Sequence, residues 1–417
     1  MLKINIKRKN SITLIEILLV FMYIFSFPII SIFDSSKVAG GILIIYMFFS
    51  NEYLNNMLKL LKKKYFLKIN FIFLLIITWT FICQFLNSTF DLSFLKTFFN
   101  LYTTIVIGFF LISFLQIRNK INRLVDLVII VFFIQTVIQW LCFFNRDFYE
   151  ITSIFRSESL IRNYITYTGI RGLTISSTGF FGMAAAYGLV LILYVTEYNQ
   201  LFRNKFFKVL VYIFIATGIF FSGRTGYIGL IISIFLLLYQ KSKTNKLTKS
   251  SIKNSLIIIS FILIAILLIL STKNNEHFQI LYNYTFEPFE NLISGEGFAA
   301  TSLDSLKNMY IPIEGKTFFI GEGLYTTDTG YYLNTDVGYL RAILYFGIPG
   351  LLMLFILQKK LFLLKKEKLV FWIYVYFIIL QFKGEIIGFS IIIQSILIFY
   401  SFVTRGDVCD YNSNDGL

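Results

Sequence analysis

The stretch VLVYIFIATGIFFSGRTGYIGLIISIFLLLY, residues 209–239, consists of two apolar runs joined by the turn SGRTG. Each run holds about 13 residues and corresponds to ~20 Å of helix, which is less than the ~30 Å hydrocarbon core of a bilayer. Gly223 and Gly226 allow a tight turn, and Arg224 stands at its tip. The pattern predicts a helical hairpin within a membrane, with an arginine between its two helices.

The chemistry of this turn favours an anion. Ser222 or Thr225 is expected to cap the second helix, whose N-terminus then offers N–H groups and a positive dipole end. A guanidinium adds a planar fork that suits phosphate oxygens. Two interpretations stay open at this point: Arg224 lies at the floor of an outward-facing cavity, or it extends from an ordinary hairpin towards lipid head groups.

The composition of the whole chain also indicates a membrane protein. Of 417 residues, 57% are hydrophobic and 15% are charged, whereas a soluble domain has about a quarter charged. The sequence predicts an all-α polytopic integral membrane protein. Its twelve predicted spans are 11–33, 38–50, 69–86, 95–116, 124–144, 173–195, 209–221, 227–239, 255–271, 339–357, 369–382 and 386–403.

The distribution of Lys and Arg sets the expected orientation. With both termini in the cytoplasm, 26 of the 38 basic residues fall on the cytoplasmic face, as the positive-inside rule requires. The net charge of +15 then needs no nucleic-acid partner, and it adds attraction to anionic membrane lipid. The basic segment 51–68 is either an amphipathic helix on the inner surface or a charged connecting loop.

Three regions follow from these spans. Residues 1–271 carry helices 1–9, with an outside loop at 145–172. Residues 272–338 form a large extracytoplasmic loop, in which glycines, acids and tyrosines replace the aliphatic residues. Residues 339–417 carry helices 10–12 and a cytoplasmic tail.

Several arginines fall near the outer ends of the predicted spans. Arg156, Arg162 and Arg171 lie in the first outside loop, and Arg341 opens the span after the second loop. Together with Arg224 they form the predicted anion-binding set, since guanidinium groups recognise phosphate through paired hydrogen bonds. Asp336, five residues before Arg341, is either a base that accepts a hydroxyl proton or a surface acid.

The sequence predicts no cofactor and no residues assigned to a metal, although Asp and Glu side chains leave a site for a hard cation open. Its single histidine, His277, cannot build a multi-histidine centre, and its three cysteines show no metal-binding or disulfide spacing. No G-x-x-x-x-G-K-[ST] motif occurs. In the last hairpin, Lys383 and Glu385 are expected to pair with each other.

Four motifs in order resemble the O-antigen polymerase and ligase superfamily, which contains Wzy-type polymerases and WaaL-type ligases. Arg171 and Gly182 resemble its R-x10-G pattern, and FFSGRTGYIGL resembles its S-x-[ST]-R-[ST]-G signature, one residue tighter. FFIGEGLYTTDTG and NTDVGYLRAILYFGIPGLL resemble the glycine turn and the helix entry that follow. The resemblance covers roughly residues 165–355.

The resemblance implies a GT-C-like glycosyltransferase at the outer face of a bacterial cytoplasmic membrane. Its substrates are polyprenyl-diphosphate-linked oligosaccharides, and a chain-length regulator protein is a further candidate partner. Arg171, Arg224 and Arg341 match the motif positions, whereas Arg156 and Arg162 rest on location alone. Asp336 stands where ligases tend to carry histidine, which favours a polymerase. A ligase and a lipid-linked oligosaccharide flippase remain the alternatives.

Overall fold

The computed structural model describes residues 12–30, 33–196, 204–243, 279–283, 287, 291, 294–295, 306–313, 315–327, 330–361, 368–388 and 390–404. Helices dominate these ranges. They are α1 (Leu14–Phe25), α2 (Ser35–Phe49), α3 (Asn51–Leu61), α4 (Lys64–Asn87), α5 (Ser93–Ile117), α6 (Leu124–Phe144), α7 (Arg146–Thr152), α8 (Glu158–Thr166), α9 (Phe180–Thr196), α10 (Lys205–Ser222), α11 (Gly226–Lys243), α12 (Lys316–Ile320), α13 (Gly338–Leu361), α14 (Lys368–Gln381) and α15 (Ile391–Thr404).

Little sheet accompanies these helices. Two short antiparallel hairpins occur in the described ranges: β1 (Pro28–Ile30) pairs with β2 (Phe33–Asp34), and β3 (Thr326–Thr327) pairs with β4 (Gly330–Tyr331). The second hairpin lies in the region expected to be the large outside loop.

Four helical stretches in the described part of the chain are long and apolar enough to cross a membrane: Lys64–Asn87, Ser93–Ile117, Ile121–Phe144 and Gly338–Leu361. Shorter apolar helices of 10–17 residues accompany them. The chain is therefore a helical membrane protein, as its composition predicts. Each predicted span but one overlaps an apolar helix, and the exception, 255–271, lies outside the described residues. The number of membrane crossings stays a prediction.

The first predicted span, 11–33, extends too far. Helix α1 ends at Phe25 because Ser26 takes a left-handed conformation with φ of 45°. Pro28 then begins the β1–β2 hairpin, and α2 starts directly after it. Hydropathy alone gives no sign of this break, whereas Pro28 is a local signal for the end of a helix.

The predicted span 173–195 begins too early. Helix α9 starts at Phe180, and the residues before it run across the end of α1 in an irregular conformation. There the Phe25 carbonyl accepts hydrogen bonds from the Ser176 hydroxyl at 3.2 Å and from the Ser177 amide at 3.1 Å. These bonds satisfy backbone groups that a helix would otherwise satisfy.

Within the segment 51–68, residues Asn51–Leu61 form α3, Lys62 and Lys63 form a turn, and the remaining residues begin α4. Helix α3 packs against α5: Asn56 donates to the Ser113 hydroxyl at 3.0 Å, and Tyr53 donates to the Phe110 carbonyl at 3.1 Å. Its one basic residue, Lys59, is exposed. Helix α3 is thus amphipathic, and its place on the inner membrane surface stays a prediction.

Helix α13 is broken rather than merely kinked at Pro349. Gly347 has φ of 69° and interrupts the helix two residues before the proline. A side chain there would meet the Phe319 carbonyl at 2.2 Å, so only glycine fits. Three freed carbonyls find donors on other segments: Leu344 from the Glu322 amide at 2.6 Å, Tyr345 from the Gly323 amide at 3.2 Å, and Phe346 from the Trp79 indole at 2.9 Å.

Helices α9 and α11 pack unusually closely. A Cβ on Gly229 would lie 2.3 Å from the Cα of Gly188, and a Cβ on Gly188 would lie 2.1 Å from the Tyr376 hydroxyl. Small residues allow helix backbones in a membrane to approach in this way. The contact draws the tip between α10 and α11 towards the first turn of α9, and this position matters for the site.

Candidate functional site

Arg224 lies at the tip between α10 and α11, beside the first turn of α9. Gly223 has φ of 153°, and a Cβ there would contact Ala184 at 3.4 Å. The Arg224 guanidinium forms an ion pair with Glu287, a residue of the predicted outside loop. Arg224 is half-buried. The structure thus places it at the edge of the helix bundle, against the region that follows α11 in sequence.

Two expectations about this tip are wrong. Ser222 does not cap α11: its hydroxyl donates to the Gly218 carbonyl at 2.8 Å and accepts from Gln139 at 3.1 Å. The amides of Gly226, Tyr227 and Ile228 donate to carbonyls three residues earlier. These N–H groups are therefore already bonded within the turn, and an anion at the tip would be bound by side chains.

The helices of this hairpin are also longer than the apolar runs. Each holds 18 residues, which is ~27 Å of helix. The extra residues lie at the charged ends of the helices, which include Lys205 and Lys243. A hydropathy pattern does not count these ends as part of an apolar run. The length of these helices therefore does not place the tip below the outer membrane surface.

Arg171 lies in the segment before α9, next to the Arg224 tip. Its guanidinium stacks on two rings, with Cζ 4.1 Å from the centroid of Tyr167 and 4.7 Å from that of Phe180. Gly172 sets the local turn, since a side chain there would meet the Leu160 carbonyl at 2.2 Å. Burial, with a smaller contribution from the nearby charge of Arg224, lowers the pKa of Arg171 to about 10. Arg171 thus stays cationic at neutral pH.

Lys383 is the third cation of this region, and sequence reasoning assigned it no role in binding. It lies half-buried in the turn between α14 and α15. Burial lowers its pKa, and the charges of Arg171 and Arg224 lower it further, while Asp336 acts in the opposite direction. Among the described residues Lys383 has no ion pair. The sequence feature that could have indicated such a role is its place as a lone lysine in the turn FKGEIIGF, between two apolar spans.

We call Arg171, Arg224 and Lys383 the three-cation cluster. Its members come from three segments that are far apart in sequence, yet each feels the charge of at least one other member. The described carboxylates near the cluster are Glu287, which pairs with Arg224, and Asp336, which acts on Lys383.

Arg341 occupies a different environment. Its Nη1 lies 2.9 Å from Glu385 Oε2, and both side chains are buried, at 7% and 9% exposure. The Tyr325 hydroxyl donates to the same carboxylate at 2.5 Å. The guanidinium also stacks on two rings, with Cζ 4.3 Å from the centroid of Tyr325 and 3.5 Å from that of Tyr331. We call these four residues the tyrosine clamp.

The clamp corrects one expectation: Glu385 pairs with Arg341 and not with Lys383. It also ties three segments together, namely α13, the turn after α14 and the β3–β4 hairpin. Burial raises the pKa of Glu385, and the Arg341 charge and the Tyr325 hydroxyl oppose that rise. The Glu385 carboxylate thus matches the charge of Arg341 through Nη1, while the buried Nε and Nη2 of Arg341 have no hydrogen-bond partner among the described residues.

Asp336 lies just before α13, between the two groups. The residue as a whole is exposed, but neighbouring protein atoms partly desolvate its carboxyl group. This desolvation raises the pKa of the carboxyl, whereas the charges of Arg341 and Lys383 lower it. The structure therefore brings Asp336 close to both a clamp cation and a cluster cation. Its part as a proton acceptor stays a prediction.

The two remaining predicted ligands, Arg156 and Arg162, have no described contact with the cluster. Arg156 is buried and holds the first outside loop to the bundle. Its guanidinium donates to the carbonyls of Leu173 at 2.8 Å and Tyr149 at 3.2 Å, to the Thr152 hydroxyl at 2.9 Å and to the Cys142 sulfur at 3.0 Å. Arg162 is exposed on α8. No described contact links either arginine to Arg224 or Lys383.

The arrangement can bind a multivalent anion. Like charges that converge in a partly desolvated place repel each other, and an anion with several oxygens offsets that repulsion. No protein-family model matches the chain, and comparisons with curated proteins and with solved structures find no match either.

Proposed function

We propose that the chain is a polysaccharide polymerase. In this proposal it is a GT-C-like membrane glycosyltransferase with about twelve transmembrane helices in a bacterial cytoplasmic membrane. Both termini are cytoplasmic, and residues 272–338 form its extracytoplasmic loop. It joins oligosaccharide repeat units carried on polyprenyl diphosphate and releases polyprenyl diphosphate.

One observation carries the proposal, namely the three-cation cluster. Arg171 and Arg224 stand at two motif positions of the superfamily that the sequence resembles, and the fold brings these distant positions together. Together with Lys383, these two arginines provide the positive charge that a diphosphate leaving group requires.

The proposed reaction is a displacement at a sugar carbon. A hydroxyl of the acceptor unit attacks the anomeric carbon of the donor, and a new carbon–oxygen bond forms as the bond to the diphosphate breaks. Negative charge builds on the departing diphosphate. Cations that are already in place stabilise this charge without reorganisation, and in many enzymes such stabilisation supplies most of the rate enhancement. Asp336, close to Lys383 and Arg341, is the proposed acceptor of the hydroxyl proton.

A test is to replace Arg224 with Ala and with Lys in the producing bacterium and to measure the length of its surface polysaccharide on gels. We expect Arg224→Ala to leave single repeat units, since loss of one such electrostatic contact costs about 10²–10³ in rate. Arg224→Lys keeps the charge but loses the fork and is expected to give shortened chains.

Lys37→Ala provides the matched control, because Lys37 pairs with Asp34 outside the cluster. Normal chain lengths in both Arg224 variants, at normal protein levels, would refute the proposed role. Accumulation of long lipid-linked polymer would instead indicate a ligase. Movement of lipid-linked sugar across a bilayer without elongation would indicate a flippase.

A further inference from the structure

We propose that Lys383 is a direct ligand of the diphosphate and that Arg341 is a positioning residue that acts through it. The inference rests on the proposed function, since it names a further residue of the same site. It departs from the sequence motifs, which single out Arg341 and leave Lys383 without a role.

The turn that carries Lys383 is held firmly in place. Gln381 caps it through its side-chain oxygen, which accepts from the amides of Ile386 at 2.8 Å and Ile387 at 3.0 Å. The turn also packs tightly at Gly384, where a Cβ would lie 2.5 Å from the ring of Phe181. Because Phe181 belongs to the first turn of α9, this contact sets Lys383 beside the segment that presents Arg171.

The opposite side of the turn is fixed by the tyrosine clamp. Glu385, two residues after Lys383, is bound by Arg341 at 2.9 Å and by the Tyr325 hydroxyl at 2.5 Å. Gly338, at the start of α13, also touches the turn, since a Cβ there would meet the Gly384 carbonyl at 2.5 Å. Lys383 is thus positioned from two sides by contacts that do not involve its own ammonium group.

The charges assign different tasks to Lys383 and Arg341. Arg341 is matched by a buried carboxylate, and aromatic rings cover its guanidinium. Lys383 lies within electrostatic range of Arg171 and Arg224, and Asp336 is the opposing charge. A diphosphate supplies negative charge to all three members of the cluster, and an ammonium group binds phosphate well as a point charge.

The test measures equilibrium binding of undecaprenyl diphosphate to the full-length protein in phosphatidylcholine nanodiscs. Inorganic pyrophosphate and phosphatidylglycerol serve as competitors, which separates a lipid-linked diphosphate from a free one and from an ordinary head group. The variants are Lys383→Met, which keeps the stem and removes the charge, Lys383→Arg, which keeps the charge, and Lys37→Ala as control.

We expect Lys383→Met to weaken binding of undecaprenyl diphosphate by about ten- to a hundredfold, the loss of one charge-assisted hydrogen bond. Lys383→Arg should stay within a fewfold of the wild type, and Lys37→Ala should be unchanged. If Arg224→Ala weakens binding while Lys383→Met binds like the wild type, this inference is wrong and the proposed function stands. If the wild type binds undecaprenyl diphosphate no better than phosphatidylglycerol, both are wrong.

The positioning role of Arg341 has its own readout. Arg341→Met should weaken binding in the wild-type background but add little in the Lys383→Met background, because both changes remove the same contact. Equal losses in both backgrounds would show that Arg341 acts independently of Lys383 and would overturn the assignment. Thermal unfolding of each variant, measured without ligand, separates a loss of binding from a loss of folded protein.

Discussion

Two groups of charges stand near each other in this molecule, and they differ in how each cation is balanced. The tyrosine clamp holds one arginine against one buried carboxylate, and two tyrosine rings stack on its guanidinium. The three-cation cluster gathers Arg171, Arg224 and Lys383 with two described carboxylates, Glu287 and Asp336, for three cations. An arginine near the end of a span is therefore no sufficient sign of a ligand site. What distinguishes a site is whether the protein already provides the counter-charge.

Breaking the clamp is expected to have the largest effect. Glu385→Gln leaves the Arg341 guanidinium buried without its anionic partner, and removing one member of a buried pair costs about 3–5 kcal/mol. Thermal unfolding in detergent should show a large loss of stability. The double variant Arg341→Met/Glu385→Leu removes both charges and should be much closer to the wild type. Equal instability of the single and double variants would contradict a compensated pair.

The comparison is sharpened by Glu287, a described carboxylate that pairs with Arg224. Glu287 contacts Arg224, so it competes with any anion that binds there. Glu287→Gln removes this competition and should tighten binding of undecaprenyl diphosphate by up to about fivefold, the range for a partly exposed pair. Binding assays in nanodiscs check this. Weaker binding in the Gln variant would mean that Glu287 holds Arg224 in position for the anion rather than competing with the anion for Arg224.

Lys383 should give binding a distinctive pH dependence. Its folded-state pKa lies below the usual 10.5 because of burial, Arg171 and Arg224. A diphosphate needs the protonated form, so affinity is full below the lowered pKa and falls as pH rises through it. Lys383→Arg should remove this step, because arginine keeps its charge. Titration of the binding constant from neutral to alkaline pH measures it; identical profiles for both proteins would contradict the prediction.

The smallest expected effect is on the stability of the protein without ligand. A lowered lysine pKa means that the folded state disfavours the charged form, so stability rises as pH rises from the lowered pKa towards 10.5. Near neutral pH the charge is a cost, and Lys383→Met should raise the melting temperature by about 1–3 °C. Scanning calorimetry at neutral pH can detect this. A lower melting temperature would mean that the ammonium group has a stabilising partner.

Hydrophobic periodicity predicted much of the fold. It located apolar helices, and the motif order pointed to Arg171 and Arg224, which the fold brings together. It missed the end of α1 at Phe25 and the start of α9 at Phe180, because both depend on backbone hydrogen bonds between segments distant in sequence. Apolar residues look alike in a helix, a short hairpin and an irregular segment.

The site was harder to predict for a related reason. Glu385 stands two residues from Lys383, and local spacing suggested that they pair, yet tertiary packing pairs Glu385 with Arg341 instead. The break at Gly347 likewise lies two residues before Pro349, although proline is the stronger local signal. Which charges are compensated depends on contacts across the bundle, and a single sequence does not reveal these.

Reconstituted glycosyl transfer tests the proposed polymerase most directly. Purified protein in nanodiscs is supplied with undecaprenyl-diphosphate-linked repeat units, and both polymer length and released undecaprenyl diphosphate are measured. We expect longer glycans and one released diphosphate for each new linkage in the wild type, with almost none of either in Arg224→Ala. Elongation that proceeds equally well in Arg224→Ala would contradict the central claim, and so would a folded wild type that binds the substrate without elongating it.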